Sequence, residues 1–467
     1  MKKIIKRILK RVFIKSKIAA KTFIRRLFIT MQLYGDNGLA NHSAAGAYGF
    51  MLSVAPMFLL IAFFILAAFQ SAPHFITGLF ANISFLELII DEQWLTENLL
   101  TLSRPGFSGI ISVLCILWAG RILALSMQRG LKIIFKGTKT RNPVKDALIT
   151  LTLEFAVLLF VIMLVFGSQT ALFIYKTFDF IPYIYELFFT LMDIFSFVYP
   201  IIILGFISFF AYLFTPVNSP RKLSALRGAL FCALCYGATS ILLGVILNQA
   251  SYNFLYGTLG NVVFMLVNVY FFFIFFFTGA QYAFVIDSFD ALLFIRLRQS
   301  RITAMENKSK SKQQFNRFDF INKLFYSAEG KLKKYAHTYK KGETLFLQGD
   351  SGNDIYYILE GEVEVIIYTS GDSGNSAGSA NNESAEQSFP RILSVYKPCS
   401  FFGEMGYILS EKRSATTVAK TDVSALVLPP SLFEKILTFD TSLDRELIEN
   451  ITRRLKNTND RLTGKTW

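Results

Sequence analysis

The stretch GALFCALCYGATSILLGVILNQASYNFLYGTLGNVVFMLVNVYFFFIFFFTGAQYAFVI, residues 228–286, runs for 59 residues without one charged side chain. About 20 apolar residues cross a bilayer, so a run of this length holds two spans. The polar break at Asn248, Gln249, Ser251, Asn253 and Asn261 divides it, and spans are expected at Gly228–Leu247 and Val262–Ile286. Working outward, four more apolar segments precede it: 44–69, 107–128 (interrupted by Arg121), 147–174 (interrupted by Glu154) and 194–216. The chain as a whole agrees. Of its 467 residues 53% are hydrophobic, 17% are charged and 49 are Phe, whereas soluble domains carry about 25% charged residues.

The connections between the segments alternate in charge. The first carries Glu87, Asp91, Glu92 and Glu97 against Arg104; the second Arg129, Lys132, Lys136, Lys139, Arg141 and Lys145 against Asp146. The third carries Asp179, Glu186 and Asp193 against Lys176, the fourth Arg221, Lys222 and Arg227, and the fifth no charge. By the positive-inside rule this predicts six spans with both termini in the cytoplasm. The formal charge of +15 is thereby assigned to the inner membrane face, and nucleic acid is not an expected partner. Residues 1–35 form a basic segment, with eleven Lys and Arg and no acid in the first 30. Ile4, Ile5, Ile8, Leu9 and Val12 recur at helical spacing there. Two readings fit: an amphipathic helix on anionic lipid, or a plain cytoplasmic retention signal.

Residues 36–290 are thus read as the membrane domain and 291–324 as a short helical exit followed by a basic linker. From about residue 325 the pattern changes. Short β-rich runs at 344–347, 355–359, 362–368, 391–396, 415–419 and 424–428 alternate with glycine-containing turns, and helix follows from Ser431. This predicts a β-roll, or jelly roll, with a C-terminal helix over 325–467. The Gly/Ser/Asn-rich residues 369–389 read as an inserted loop.

Two motifs in this region carry chemistry. One is Gly342-Glu-Thr-Leu-Phe-Leu-Gln-Gly349-Asp350 with Ile355-Tyr-Tyr-Ile-Leu-Glu-Gly361; the other is Phe401-Phe-Gly403-Glu404 with Arg413-Ser414-Ala415-Thr416. Together they resemble the cyclic-nucleotide-binding domain of the catabolite-activator, kinase-regulatory-subunit and gated-channel family. The resemblance implies a regulatory ligand, cAMP or cGMP. It also implies that Gly403 and Glu404 hold the ribose while Arg413 and Ser414 hold the phosphate. The residue types suit those roles. A carboxylate accepts from a 2′-hydroxyl, backbone N–H groups after Gly403 face an anion, and a guanidinium makes a paired contact with phosphate oxygens. By the same resemblance Thr458 and Asn459, on the last helix, are candidates for the purine; a solvated helix end is the alternative. No helix-turn-helix follows before Trp467, so a DNA-binding output is not expected.

The membrane segment also resembles a family. Ala44-Ala-Gly-Ala47-Tyr48 with Pro56, Trp118-Ala-Gly-Arg121, Arg221-Lys222 through Arg227-Gly228-Ala229, and Tyr256-Gly257-Thr-Leu-Gly260 are similar to the YihY/BrkB inner-membrane proteins. The resemblance implies six helical spans and names no substrate. Some members carry a ribonuclease BN label, but the three scattered residues His42, His74 and His337 do not make a hydrolytic metal centre, so no enzyme activity and no metal are expected.

Arg121 and Glu154 are the charges inside spans. Each lies about seven residues from the inner end of its segment, hence about 10 Å deep on consecutive antiparallel helices. A buried pair, a polar pathway and a snorkelling arginine are the three readings. Cys232 and Cys235 share a helix face without a second cysteine pair, which reads as small-residue packing. The role these features suggest is transport or permeability controlled by a cyclic nucleotide. The alternative is a membrane-tethered sensor or scaffold acting through a partner, with a homo-oligomer possible in either case.

Overall fold

In the computed structural model the described residues are 2–68, 107–136, 142–153, 182–246, 258–309, 330–369 and 389–462. They fall into two compact units: residues 26–287, and residues 288–467 together with the first 25.

The described residues of the first unit form helices joined by short turns. After α1 (Lys2–Asp36), which begins outside it, come α2 (Leu39–Ala68), α3 (Phe107–Ile134), a helical stretch at 143–153, α4 (Pro182–Phe214), α5 (Lys222–Ile246) and α6 (Thr258–Asp287). α6 is the central element and packs against α5, α2 and α3, while α4 packs on α5. The residue types explain the closeness of α5 and α6. A Cβ on Gly228 would lie 2.5 Å from the Gly279 carbonyl oxygen, and one on Gly279 would lie 2.9 Å from Cys232 Cβ. Small residues let the two backbones approach, and Cys232 is buried at that contact. The Tyr212 hydroxyl, fully buried, donates to the Phe276 carbonyl at 2.6 Å, so α4 is tied to α6 through a backbone acceptor.

Among the described residues two helices, Lys222–Leu243 and Val263–Asp287, are long and apolar enough to cross a bilayer, and Val198–Phe214 is a shorter apolar helix. α4 begins at Pro182, twelve residues before the expected start of its span at Ile194. Proline suits the first helical turn, and nothing between Glu186 and Asp193 breaks a helix; those acids extend it beyond its apolar part. Pro200 lies inside α4. Arg121 is on α3 and exposed. Glu154 lies outside the described residues, so the expected pair is not described.

The second unit opens with α7 (Phe289–Ser309) and a 3₁₀ turn at Gly330–Tyr335. Among the described residues eight strands follow: β1 (Ala336–Tyr339), β2 (Thr344–Phe346), β3 (Ile355–Glu360), β4 (Val363–Thr369), β5 (Phe389–Tyr396), β6 (Phe401–Phe402), β7 (Thr416–Ala419) and β8 (Val423–Leu428). α8 (Glu404–Leu409) separates β6 from β7, and α9 (Pro430–Phe439) and α10 (Thr441–Leu462) close the chain. The strands make two antiparallel four-stranded sheets, ordered β1-β8-β3-β6 and β2-β7-β4-β5. This is the β-roll expected from the alternating pattern. Tyr356, Ile358, Val363, Phe402, Ala419, Val423 and Ala425 form its core, with Phe346 and Tyr396 packed against them.

The polar sequence after residue 287 conceals a helix with a buried face. Phe289, Leu293, Phe294 and Leu297 of α7 are all buried, and α7 packs on α9. The helical exit therefore extends to Ser309 and belongs to the β-roll unit.

Candidate functional site

The cassette between β6 and β7 is built around two residues with special demands. Gly403 has φ +77°, a left-handed conformation that glycine adopts without steric cost. A Cβ there would also lie 2.9 Å from Arg413 Nη1 and 3.3 Å from Tyr356 Cδ2. Only glycine fits on both counts. The left-handed turn ends β6 and starts α8, whose first residue is Glu404.

Arg413 is the other. Its side chain is 5% exposed. Nη1 donates to the Gly403 carbonyl at 2.7 Å and Nη2 to the Asp354 carbonyl at 2.8 Å. The guanidinium lies over the Phe346 ring at 4.3 Å and near the Tyr356 ring at 5.7 Å. Its own backbone is fixed as well: the Arg413 N–H donates to the Asp350 carbonyl at 2.9 Å, and its carbonyl accepts from Gly349 N–H at 2.8 Å. The planar fork is thus held in one orientation from four directions. Burial pushes the guanidinium pKa down, opposed by Tyr356, Asp354, Asp350 and Glu404. Burial likewise raises the Tyr356 hydroxyl, opposed by the charge of Arg413.

Glu404 is 2% exposed and lies in the field of Arg413, and Ser414, next to Arg413, is exposed. The structure therefore brings Gly403, Glu404, Arg413 and Ser414 into one cassette. Thr458 and Asn459 lie on α10, and their side chains are outside the described residues. Several participants carry no sequence signal. Asp354 contributes a backbone carbonyl, which any residue supplies. Gly406 is restricted by backbone: a Cβ there would lie 3.1 Å from the Gly352 carbonyl oxygen. Phe346 and Tyr356 read from sequence as strand residues, yet they form the aromatic wall on which the guanidinium rests.

β6 links the cassette to the helices through the alternation of a strand. Phe402 points into the roll and stacks on Tyr356 with ring centroids 5.0 Å apart. Phe401 points the other way, against Phe294 of α7 at 5.9 Å and Phe433 of α9 at 5.9 Å. Arg298 of α7 lies over the Phe401 ring at 5.9 Å, bonds Asp440 Oδ2 at 3.3 Å, and is paired with Glu446 of α10. Arg301 donates to the Leu359 carbonyl at 2.9 Å. Among the titrating groups here, burial raises the Tyr357 hydroxyl well above its ordinary value.

A buried, oriented guanidinium beside a left-handed glycine and a buried glutamate, in an antiparallel β-roll followed by two helices, defines a ligand-binding regulatory domain of the cyclic-nucleotide type. Family comparison agrees: the cyclic nucleotide-binding domain model matches residues 336–439. The virulence factor BrkB model matches residues 30–293, more than half of the chain, and the chain belongs to that family. It is a membrane protein that carries a cyclic-nucleotide-binding domain. Similar curated proteins include the cAMP-dependent protein kinase regulatory subunit of Dictyostelium discoideum, 27% identical over 25% of this chain and 31% of that protein. The cAMP-activated global transcriptional regulator CRP of Salmonella typhimurium is 26% identical over 27% of this chain and 54% of that protein. The chain spans about half or less of the length of these relatives. Among solved structures, the catabolite activator protein of Thermus thermophilus is 24% identical over 27% of this chain and 53% of that one, with a TM-score of 0.23.

Proposed function

We propose that this protein is a six-span inner-membrane protein, with both termini cytoplasmic, whose transport or permeability is set by cAMP or cGMP at the cassette. Arg413 grips the phosphate, with Ser414 beside it. Glu404 accepts from the ribose 2′-hydroxyl, and Gly403 leaves the room both need. The observation that carries this reading is the fork of Arg413, buried and held by the Gly403 and Asp354 carbonyls. A pre-oriented donor loses little freedom on binding, which favours affinity.

Control follows from β6. A ligand seated at Gly403 displaces the strand that ends there, and Phe401 transmits the displacement to Phe294 and Arg298 of α7. Only Ser288 separates α7 from α6 in the chain. The protein acts by binding and conformational change rather than by catalysis, on an anionic lipid surface that its basic N-terminal segment suits. Flux through proteoliposomes, with and without each nucleotide, tests it. Nucleotide-dependent flux supports the reading. Nucleotide binding with no flux of any solute tried points instead to the membrane-tethered sensor acting through a partner.

A further inference from the structure

The turn that leads into β6 carries a cysteine in a position made for glycine. Lys397, Pro398, Cys399 and Ser400 form it: the Ser400 N–H donates to the Lys397 carbonyl at 3.2 Å, and Cys399 has φ +68°. Proline in second place and a positive φ in third mark a type II turn, where glycine is the usual third residue. Cys399 is partly exposed, and it is the only cysteine after residue 235.

The surroundings of the thiol single it out. The Cys399 N–H donates to the Ile358 carbonyl at 2.9 Å, which holds the turn against β3. Tyr357, next to Ile358, pairs with Phe401 across β3 and β6, and the two rings lie 4.9 Å apart. Tyr357 is 0% exposed, and its hydroxyl has no hydrogen-bond partner. Burial, and then the Cys399 thiol beside it, raise that hydroxyl well above its ordinary value, against the positive charge of Arg298 and Arg301. The phenol therefore stays a neutral O–H donor, next to a sulfur that is only a weak acceptor. A buried donor of this kind calls for a partner. An oxygen atom added to the Cys399 sulfur supplies one.

We infer that Cys399 is a site of reversible oxidation by hydroperoxides, with Tyr357 as the donor that assists the reaction and holds its product. The sulfur forms a bond to one peroxide oxygen as the O–O bond breaks; sulfur loses two electrons and the peroxide gains them. The thiol proton ends on the departing oxygen, which leaves as water when the oxidant is hydrogen peroxide, and Cys399 becomes a sulfenic acid. Tyr357 gives up no proton. Its O–H stabilises the charge that develops on the departing oxygen and then bonds the sulfenic oxygen. Arg298, 5% exposed, adds positive charge from α7. No second cysteine lies in residues 288–467, so the product is resolved from solution: a small thiol condenses with it, with loss of water, and a second thiol displaces the first to restore Cys399. None of this depends on nucleotide binding at the cassette.

The test treats the full-length protein in phosphatidylcholine nanodiscs with hydrogen peroxide and dimedone, which traps sulfenic acids, and follows the Cys399 peptide by mass spectrometry. Reading one peptide separates Cys399 from Cys115, Cys232 and Cys235. Cys399 is expected to be labelled about tenfold or more faster in the folded protein than in protein unfolded in urea, the effect of one hydrogen bond to a charged group. Tyr357→Phe keeps the ring and removes the donor. It is expected to slow labelling to near the unfolded rate without lowering the unfolding temperature. With a small thiol in place of dimedone, a mixed disulfide at Cys399 that dithiothreitol reverses is expected. Should Tyr357→Phe fail to fold, the comparison of folded with unfolded wild type decides. Equal labelling of folded and unfolded protein, or of wild type and a folded Tyr357→Phe, would overturn the proposal.

Discussion

Arg298 Nη1 lies 3.3 Å from Asp440 Oδ2, and the two side chains are only 5% and 7% exposed. Asp440 is at the same time the cap of α10: its Oδ1 accepts from the N–H groups of Ser442 at 3.1 Å and Leu443 at 3.3 Å. One carboxylate thus starts the last helix and binds it to α7. Removing one partner of a buried pair leaves the other charge uncompensated, at about 3–5 kcal/mol. Arg298→Ala is expected to lower the unfolding temperature of the β-roll unit clearly. Asp440→Ala loses the cap as well, about 1 kcal/mol more. Asp440→Asn, which keeps an acceptor for the helix, is expected to fall between wild type and Asp440→Ala in a thermal melt.

Arg413→Lys replaces a planar fork by a point charge, which cannot bond the Gly403 and Asp354 carbonyls and a phosphate together. A loss of about 1.5–3 kcal/mol in nucleotide binding is expected, roughly ten- to a hundredfold in affinity. Glu404→Gln weakens binding less, since an amide oxygen still accepts from a hydroxyl. A 2′-deoxy nucleotide binds the wild type poorly and loses most of that disadvantage against Glu404→Ala. Competition binding with the full-length protein measures all of these.

In the helical unit the contact between Gly228 and Gly279 is too close for a methyl group. Gly228→Ala forces α5 and α6 apart, and overpacking of this kind costs about 1–3 kcal/mol. The expected result is a drop of several degrees in unfolding temperature, while Leu226→Ala, on an exposed position of the same helix, changes it little.

At high pH the β-roll has a specific weakness. Burial pushes the Tyr339 hydroxyl up to about 12, and burial also raises Tyr356 and Tyr357. The ordinary value is about 10. Between these values the unfolded chain has released its proton and the folded one has not, so stability is full below about pH 10 and falls as pH rises toward 12. Tyr339→Phe is expected to flatten the fall of unfolding temperature with pH in that window.

The β-roll is legible where burial and periodicity coincide. The runs around β3, β4 and β8 alternate or are wholly apolar between glycines, and they appear within a residue or two of their expected bounds. β1 was not foreseen because Ala-His-Thr-Tyr is short, polar on one face and paired with β8 alone. β6 is two residues long and lies inside the cassette motif. α7 looked like an exit and linker because its arginines dominate the composition, although Phe289, Leu293, Phe294 and Leu297 form a buried stripe. In the cassette, Gly403, Glu404 and Arg413 announced themselves by type and spacing. The carbonyl of Asp354 did not, since a backbone acceptor leaves no trace in residue identity. The partners of Arg298 lie 142 and 148 residues away, and only the fold brings them together.

The central claim is that the cassette binds a cyclic nucleotide through Arg413. Titration calorimetry of the full-length protein with cAMP and with cGMP addresses it most directly. The account predicts saturable binding of at least one of the two, weakened by Arg413→Lys. Absence of heat with both nucleotides at millimolar concentration, from a protein shown to be folded, would contradict it.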